Sequence, residues 1–223
     1  MKKLIILSST VLVFACSKKE VGMKQESSNV SIENIQIKSN FPKMTKLENQ
    51  DNAKRGINIG SFTSTSDYLY FKQHYPTVQL QMNKAELFAF DEYDGIYAMG
   101  VPYNREGREG LFVIYKNFNN NKTFSILREV KLGEDTILRI QPIRNINGAI
   151  EWTINNGDVT TTFRPNCKQG NEPCYKRCDG FLDCMSCAIS ECEDDPTCHV
   201  VCFVASVECA IGFSLACSLV YIY

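Results

Sequence analysis

The sequence predicts an α+β protein, an antiparallel β-meander (a single sheet or a small sandwich) followed by a disulfide-stapled helical hairpin. Three observations carry this reading. Between residues 84 and 164, short apolar runs are separated by Asp94-Gly95, Asn147-Gly148 and Asn156-Gly157, dipeptides that supply the positive φ angles of tight hairpins. Ten of the eleven cysteines lie within residues 167–223. The charge changes at the same place: residues 1–166 carry 21 Lys+Arg against 17 Asp+Glu, and residues 167–223 carry 3 against 8. The domain boundary is therefore placed at 166, between a β-rich domain over 31–166 and a cysteine-rich helical domain over 167–223.

The chain opens with Lys2 and Lys3, then an apolar stretch over 4–14 that ends Val13-Phe14-Ala15-Cys16. This has the form of a targeting segment and is too short to span a bilayer. Its end resembles the lipobox of bacterial lipoproteins, in which a small residue precedes a cysteine. The resemblance implies a signal peptide over 1–15, cleavage after Ala15, a diacylglycerol on the Cys16 sulfur and an acyl group such as palmitate on the new amino terminus. It also implies a lipid bilayer as partner and a place in the cell envelope, at the outer membrane or the periplasmic face. Ser17, where an Asp would favour retention, fits export to an outer membrane by the same resemblance. With Cys16 lipidated, ten cysteines remain, and ten can pair completely.

Residues 16–30 are polar and read as a flexible tether. Residues 31–38 alternate, with Ile32, Ile35 and Ile37 as the apolar members, and read as a short strand or an extended arm. Residues 39–65 support no assignment. Ser66-Asp67 opens a short helix through Gln73, stopped by Pro76. Strands are expected over 85–92, 96–103, 110–117, 122–131, 136–146, 149–155 and 158–164. Closing the turn at Asn156-Gly157 pairs Ile154 with Val159, Trp152 with Thr161 and Ile150 with Phe163 on one face. Thr153–Thr160 and Glu151–Thr162 then fall on the other, a separation that a one-residue slip would destroy. The Asn147-Gly148 turn would set Ile143 opposite Trp152 and Arg144 opposite Glu151. Trp152 reads as a core residue or as an aromatic binding platform.

The tail cysteines are 167, 174, 178, 184, 187, 192, 198, 202, 209 and 217. Spacings of three and four share a helix face, and Asp195-Pro196 resembles an N-cap followed by proline at the first helical position. Two helices are expected, over 174–192 and 196–220, with Gly180 and Gly212 as candidate interruptions. Antiparallel helices place residues of nearly constant number sum opposite one another. Cys174–Cys217, Cys178–Cys209, Cys187–Cys202 and Cys192–Cys198 have sums of 387–391, which leaves Cys167–Cys184 as the fifth pair. The alternative use of these residues is zinc, through Cys184-x-x-Cys187 and through His199 beside Cys198, against an exported context in which thiols oxidise. Residues 209–223 carry no charge. They read either as a helix buried on the rest of the protein or as a membrane-active segment with a target membrane as its partner.

No catalytic constellation is present. The chain has two histidines, His74 and His199, and no nucleophile elbow, zinc-protease helix, phosphate loop or dinucleotide fingerprint. Asp91, Glu92 and Asp94 sit beside a turn as solvated groups. Glu193, Asp194 and Asp195 sit where a helix N-terminus explains them. A net charge of −1 argues against nucleic acid as a partner. The expectation is a non-enzymatic, membrane-anchored lipoprotein of binding or structural role, with no cofactor and no metal. The order of leader, small β-rich domain and apolar cysteine-rich tail also resembles the precursors of halocin-like cysteine-rich bacteriocins. That resemblance implies the alternative, a membrane-active peptide released extracellularly from the C-terminal region by cleavage near 164–169.

Overall fold

A computed structural model describes residues 44–48, 56–144, 148–155, 158–170, 172–191 and 207–223. Cys16, its leader, the tether and the segment over 31–38 lie outside the described residues. The described chain is an eight-stranded antiparallel sheet in strictly sequential order. Its strands are β1 (Met44–Lys46), β2 (Glu86–Phe90), β3 (Ile96–Arg105), β4 (Arg108–Asn117), β5 (Thr123–Lys131), β6 (Thr136–Pro142), β7 (Ile150–Asn155) and β8 (Asp158–Thr161). Helices α1 (Ile59–Thr63) and α2 (Ser66–His74) precede a 3₁₀ turn at Met82–Lys84 and the strand β2. Helices α3 (Cys174–Arg177), α4 (Phe181–Glu191) and α5 (Val207–Ile222) follow the sheet.

The two helical groups supply separate cores. Phe88, Ala98, Val113, Tyr115, Ile126, Ile140 and Trp152 cluster with Phe181, Ile211, Leu215 and Ile222 of the tail. Leu87, Met99, Val101, Phe112, Ile114 and Leu127 cluster with Phe62 and Phe71 of α1 and α2. Successive side chains on a strand point to opposite faces, so this division follows residue parity. It also explains the unbroken apolar run Leu111-Phe112-Val113-Ile114-Tyr115 on β4, since a strand buried on both faces has no polar side to show. The described residues belong to one compact unit, in which residues of the tail share a core with residues of the sheet.

Turn chemistry decides the registers. The β7–β8 register is the one expected for Trp152 opposite Thr161, Thr153 opposite Thr160 and Ile154 opposite Val159, but β8 ends at Thr161, so the expected pairs Ile150–Phe163 and Glu151–Thr162 lie beyond the ladder. The Asn147-Gly148 expectation requires correction: Trp152 faces Leu138 and Glu151 faces Arg139. Strand β6 ends at Pro142, which has no N–H for the ladder. Ile143 then donates its N–H to Ser125 O at 3.0 Å and turns into the α2 side of the core. Arg144 pairs with Asp67 at 2.7 Å, away from Glu151. Asp94-Gly95 likewise closes no two-residue turn, since Ala89 faces Tyr97 and residues 91–95 form the connection. The tight turn without an Asn-Gly or Asp-Gly signal is Glu106-Gly107, with φ of 51° and 75° between the paired Arg105 and Arg108.

Helix α2 is capped by Thr65, whose Oγ1 accepts from Tyr68 N at 3.3 Å. Asp67, expected at the cap, is buried and accepts a hydrogen bond from Ser125 Oγ at 3.1 Å. On the same face a polar row crosses five strands in register: Tyr103, Gly110, Glu129, Arg139 and Glu151. The Tyr103 ring lies over Gly110, where a Cβ would come within 2.2 Å of it. Its hydroxyl reaches Glu129 Oε1 at 3.1 Å. Burial, reinforced by the Glu129 charge, raises the Tyr103 phenol far above its ordinary value, so it remains a protonated donor.

The disulfides differ from the expected ladder. The structure joins Cys167–Cys178, Cys174–Cys187 and Cys184–Cys217. These replace Cys174–Cys217, Cys178–Cys209, Cys187–Cys202 and Cys167–Cys184, while Cys192–Cys198 lies outside the described residues. The expected first helix breaks ahead of Gly180, and Cys178 is extended at φ −111°, ψ 138°. Cys178 therefore leaves the helix face of Cys174 and forms an antiparallel bridge with Cys167. The rule of constant sums holds between α4 and α5, but at 401 and 402, for Cys184–Cys217 and for Phe181 N donating to Tyr221 Oη. The register of α4 on α5 thus differs from the expected one by about ten in the number sum. Gly212 lies inside α5 without interrupting it.

The Tyr103–Gly110 crossing is testable. Gly110→Ala forces the ring off its seat and costs about 1–3 kcal/mol, the usual range for overpacking, measured by chemical denaturation. The same substitution in a Tyr103→Ala background costs much less. An equal penalty in both backgrounds would refute the crossing as its cause.

Candidate functional site

The site is the seat of the tail on the sheet and the cleft beside it. Helix α5 packs on β3, β4 and β5. Gly100 of β3 lets it settle closely, since a Cβ there would meet Ile211 Cδ1 at 3.0 Å. In the buried contact Tyr115 donates its hydroxyl proton to Ile211 O at 2.8 Å and also meets Ser214 Oγ. Ser214 and Ser218 donate to the carbonyls of Ala210 and Ser214, four residues back, each at 2.6 Å. The serines in this apolar helix thus satisfy their hydroxyls internally, as buried polar groups must. Burial raises the Tyr115 phenol well above its ordinary value.

The far end of α5 is capped from outside. The last carbonyls of a helix lack intrahelical donors and attract positive charge. Asn117 Nδ2 donates to Ile222 O at 2.9 Å, Asn120 Nδ2 donates to the same oxygen at 3.1 Å, and Lys122 Nζ donates to Tyr223 O. Asn117 ends β4, and Asn120 and Lys122 come from the β4–β5 connection. Asn117 Oδ1 also accepts from Asn119 N at 2.9 Å, so one buried side chain shapes the connection and holds the helix end.

Beside this seat lies a cavity of about 340 Å³ lined by Tyr93, Tyr175, Cys178, Cys184, Leu219 and Tyr223, among others. Tyr93 comes from the β2–β3 connection, Tyr175 from α3, and Cys178 from the extended break after it. Tyr93 and Tyr223 meet edge to face at 6.3 Å. Val220, at 68 % exposure, stands at the rim. The volume lies within the ordinary range for small-ligand sites, and aromatic walls with a few polar tips are what such sites use. Tyr93, Tyr175 and Tyr223 bring phenol groups to a lining that is otherwise largely apolar.

On the opposite face, Glu129 is nearly inaccessible and is approached by Arg139 at 3.3 Å, Arg105 at 3.8 Å and Arg108 at 3.9 Å. Arg108 also reaches Glu151 at 3.5 Å. Together with Tyr103 this surrounds one buried carboxylate with donors, the condition for keeping such a charge inside a protein. It reads as charge compensation in the polar row.

The sequence candidates are distributed as follows. Six of the tail cysteines are paired in the three disulfides, and the pairs that include Cys184 and Cys187 remove the proposed Cys-x-x-Cys zinc half-site. His199 and the acidic run 193–195 lie outside the described residues. Trp152 is 2 % exposed and belongs to the core, so it forms no platform. His74 stacks on Tyr70 at 3.8 Å. The cleft tyrosines and the capping asparagines gave no sequence signal, because their roles depend on the tail lying on the sheet. Among the described residues, no helix is long and apolar enough to cross a membrane. No protein-family model matches the chain, and neither a curated protein nor a solved structure matches it at a significant level.

Asn117→Ala removes the buried donor to Ile222 O and leaves that carbonyl with only the exposed Asn120. A loss of about 1–3 kcal/mol is expected from thermal denaturation. Asn120→Ala, at the exposed position, is expected to cost less. The reverse order would contradict the capping role assigned to Asn117.

Proposed function

We propose that the chain is a membrane-anchored bacterial lipoprotein of non-enzymatic binding or structural role. In this reading Cys16 is acylated and holds the protein to a lipid bilayer in the cell envelope, at the outer membrane or the periplasmic face. The tail remains part of the folded unit and presents the tyrosine-lined cleft as a binding face. Val13-Phe14-Ala15-Cys16 supports the anchor. The single observation that carries the role of the tail is the burial of α5: Ile211, Leu215 and Ile222 are fully buried on the sheet, and Tyr115 and Asn117 tie the helix there. Releasing it as a free peptide would expose the apolar face of β4 and β5 to water, at about 25 cal/mol per Å² of apolar area. That cost weighs against a bacteriocin precursor.

Intact mass spectrometry of protein recovered from its native cells and medium, without reduction, tests the reading. The expected species is membrane-bound, begins at an acylated Cys16 and retains residues 167–223. An oxidised fragment beginning near residue 167 in the medium would sink it in favour of the precursor. An unacylated protein cleaved elsewhere would remove the anchor.

A further inference from the structure

Two of the disulfides are neighbours. The Sγ atoms of Cys167, Cys178 and Cys187 all lie within 4.8 Å of one another, although Cys167 is bonded to Cys178 and Cys187 to Cys174. Cys167 and Cys178 are half-buried, and Cys178 lines the tyrosine cleft. Cys174 and Cys187 are buried, at 5 % and 8 % exposure. The Arg177 guanidinium lies against the inner pair, with Nη2 3.3 Å from Cys187 Sγ and 3.6 Å from Cys174 Sγ. An accessible disulfide thus stands in front of a shielded one, with a fixed cation at the sulfurs of the second.

We propose that these four cysteines form a two-disulfide relay that accepts two electrons from an external dithiol reaching it through the cleft. A thiolate of the dithiol attacks Cys178 Sγ. The Cys167–Cys178 bond breaks, and its electron pair leaves on Cys167 Sγ, which lies 3.5 Å from Asp183 O. The Cys167 thiolate then attacks Cys187 Sγ, forming Cys167–Cys187 and releasing Cys174 as a thiolate beside Arg177, where it takes up a proton. The second thiol of the dithiol resolves the mixed disulfide and frees Cys178. In sum, one dithiol becomes a disulfide, and its two electrons and two protons appear as the thiols of Cys174 and Cys178. Attack at Cys167 first would give the mirror product, Cys178–Cys187. Arg177 is a positioning residue in this scheme: a nearby cation favours a leaving thiolate, and a better leaving group speeds exchange.

The relay rests on neither the lipid anchor nor the binding role, so its failure would leave both untouched. The test treats the oxidised full chain with limiting dithiothreitol. Thiols are trapped by alkylation at intervals, and the linkages are mapped without reduction. The expected intermediate carries Cys187 joined to Cys167 or Cys178, has Cys174 alkylated and keeps Cys184–Cys217 intact. Independent loss of the two disulfides with no crossed linkage would overturn the proposal. So would a Cys187 joined to Cys192, Cys198, Cys202 or Cys209, or crossed linkages found only after Cys184–Cys217 has opened. Arg177→Gln is expected to slow the release of Cys174 by about three- to tenfold, and Arg177→Lys to restore most of the rate. Equal rates in all three proteins would overturn the role given to Arg177.

Discussion

The middle strands of the sheet carry apolar side chains on both faces, and neither face can be left in water. Helices α1 and α2 cover one face and the stapled tail covers the other. Burial of α5 is the contact on which the rest depends. It completes the core around Val113, Tyr115 and Phe124, orders the capping connection of β4–β5 and holds the tyrosine walls of the cleft in place. The disulfides act on this arrangement from one side. They tie α3, α4 and the chain at 167 to each other and to α5, which lowers the entropy of the unfolded tail without replacing the hydrophobic contact.

The sheet was legible in the sequence because its signals are local. Hairpin dipeptides and apolar runs locate seven of the strands to within a few residues, and the register expected from Asn156-Gly157 holds for the three expected pairs that the ladder includes. What misled was turn chemistry in competition with neighbouring residues. Pro142 stops β6 before Asn147-Gly148 can set its register, and Glu106-Gly107 makes a tight turn with a residue seldom found there. Strand β1 and helix α1 carry too few residues to leave a periodic trace. Met44–Lys46 is identified as a strand only by its pairing with β2.

The tail shows where spacing arguments reach their limit. Helical spacing correctly indicated helices, and the antiparallel sum rule correctly describes α4 against α5. The pairing failed because the helix expected from residue 174 breaks at Cys178 and because α4 meets α5 at a number sum near 401, higher than the expected 387–391. The extended backbone at Cys178 brings Cys167, more than a helical turn away in sequence, to the site. Roles that join distant segments, such as Asn117 on Ile222 or Tyr93 on Tyr223, could not be read from spacing at all. They follow from the docking of α5, and so does the cleft beside it.

The central claim is that tail and sheet form one cooperative structure. Amide hydrogen exchange, measured residue by residue in the oxidised protein and after full reduction of the disulfides, addresses it most directly. A shared core predicts that amides in β3, β4 and β5 lose protection together with those of α5 when the staples are cut. A sheet that keeps its protection while the tail exchanges freely would contradict the account and make the tail an appendage.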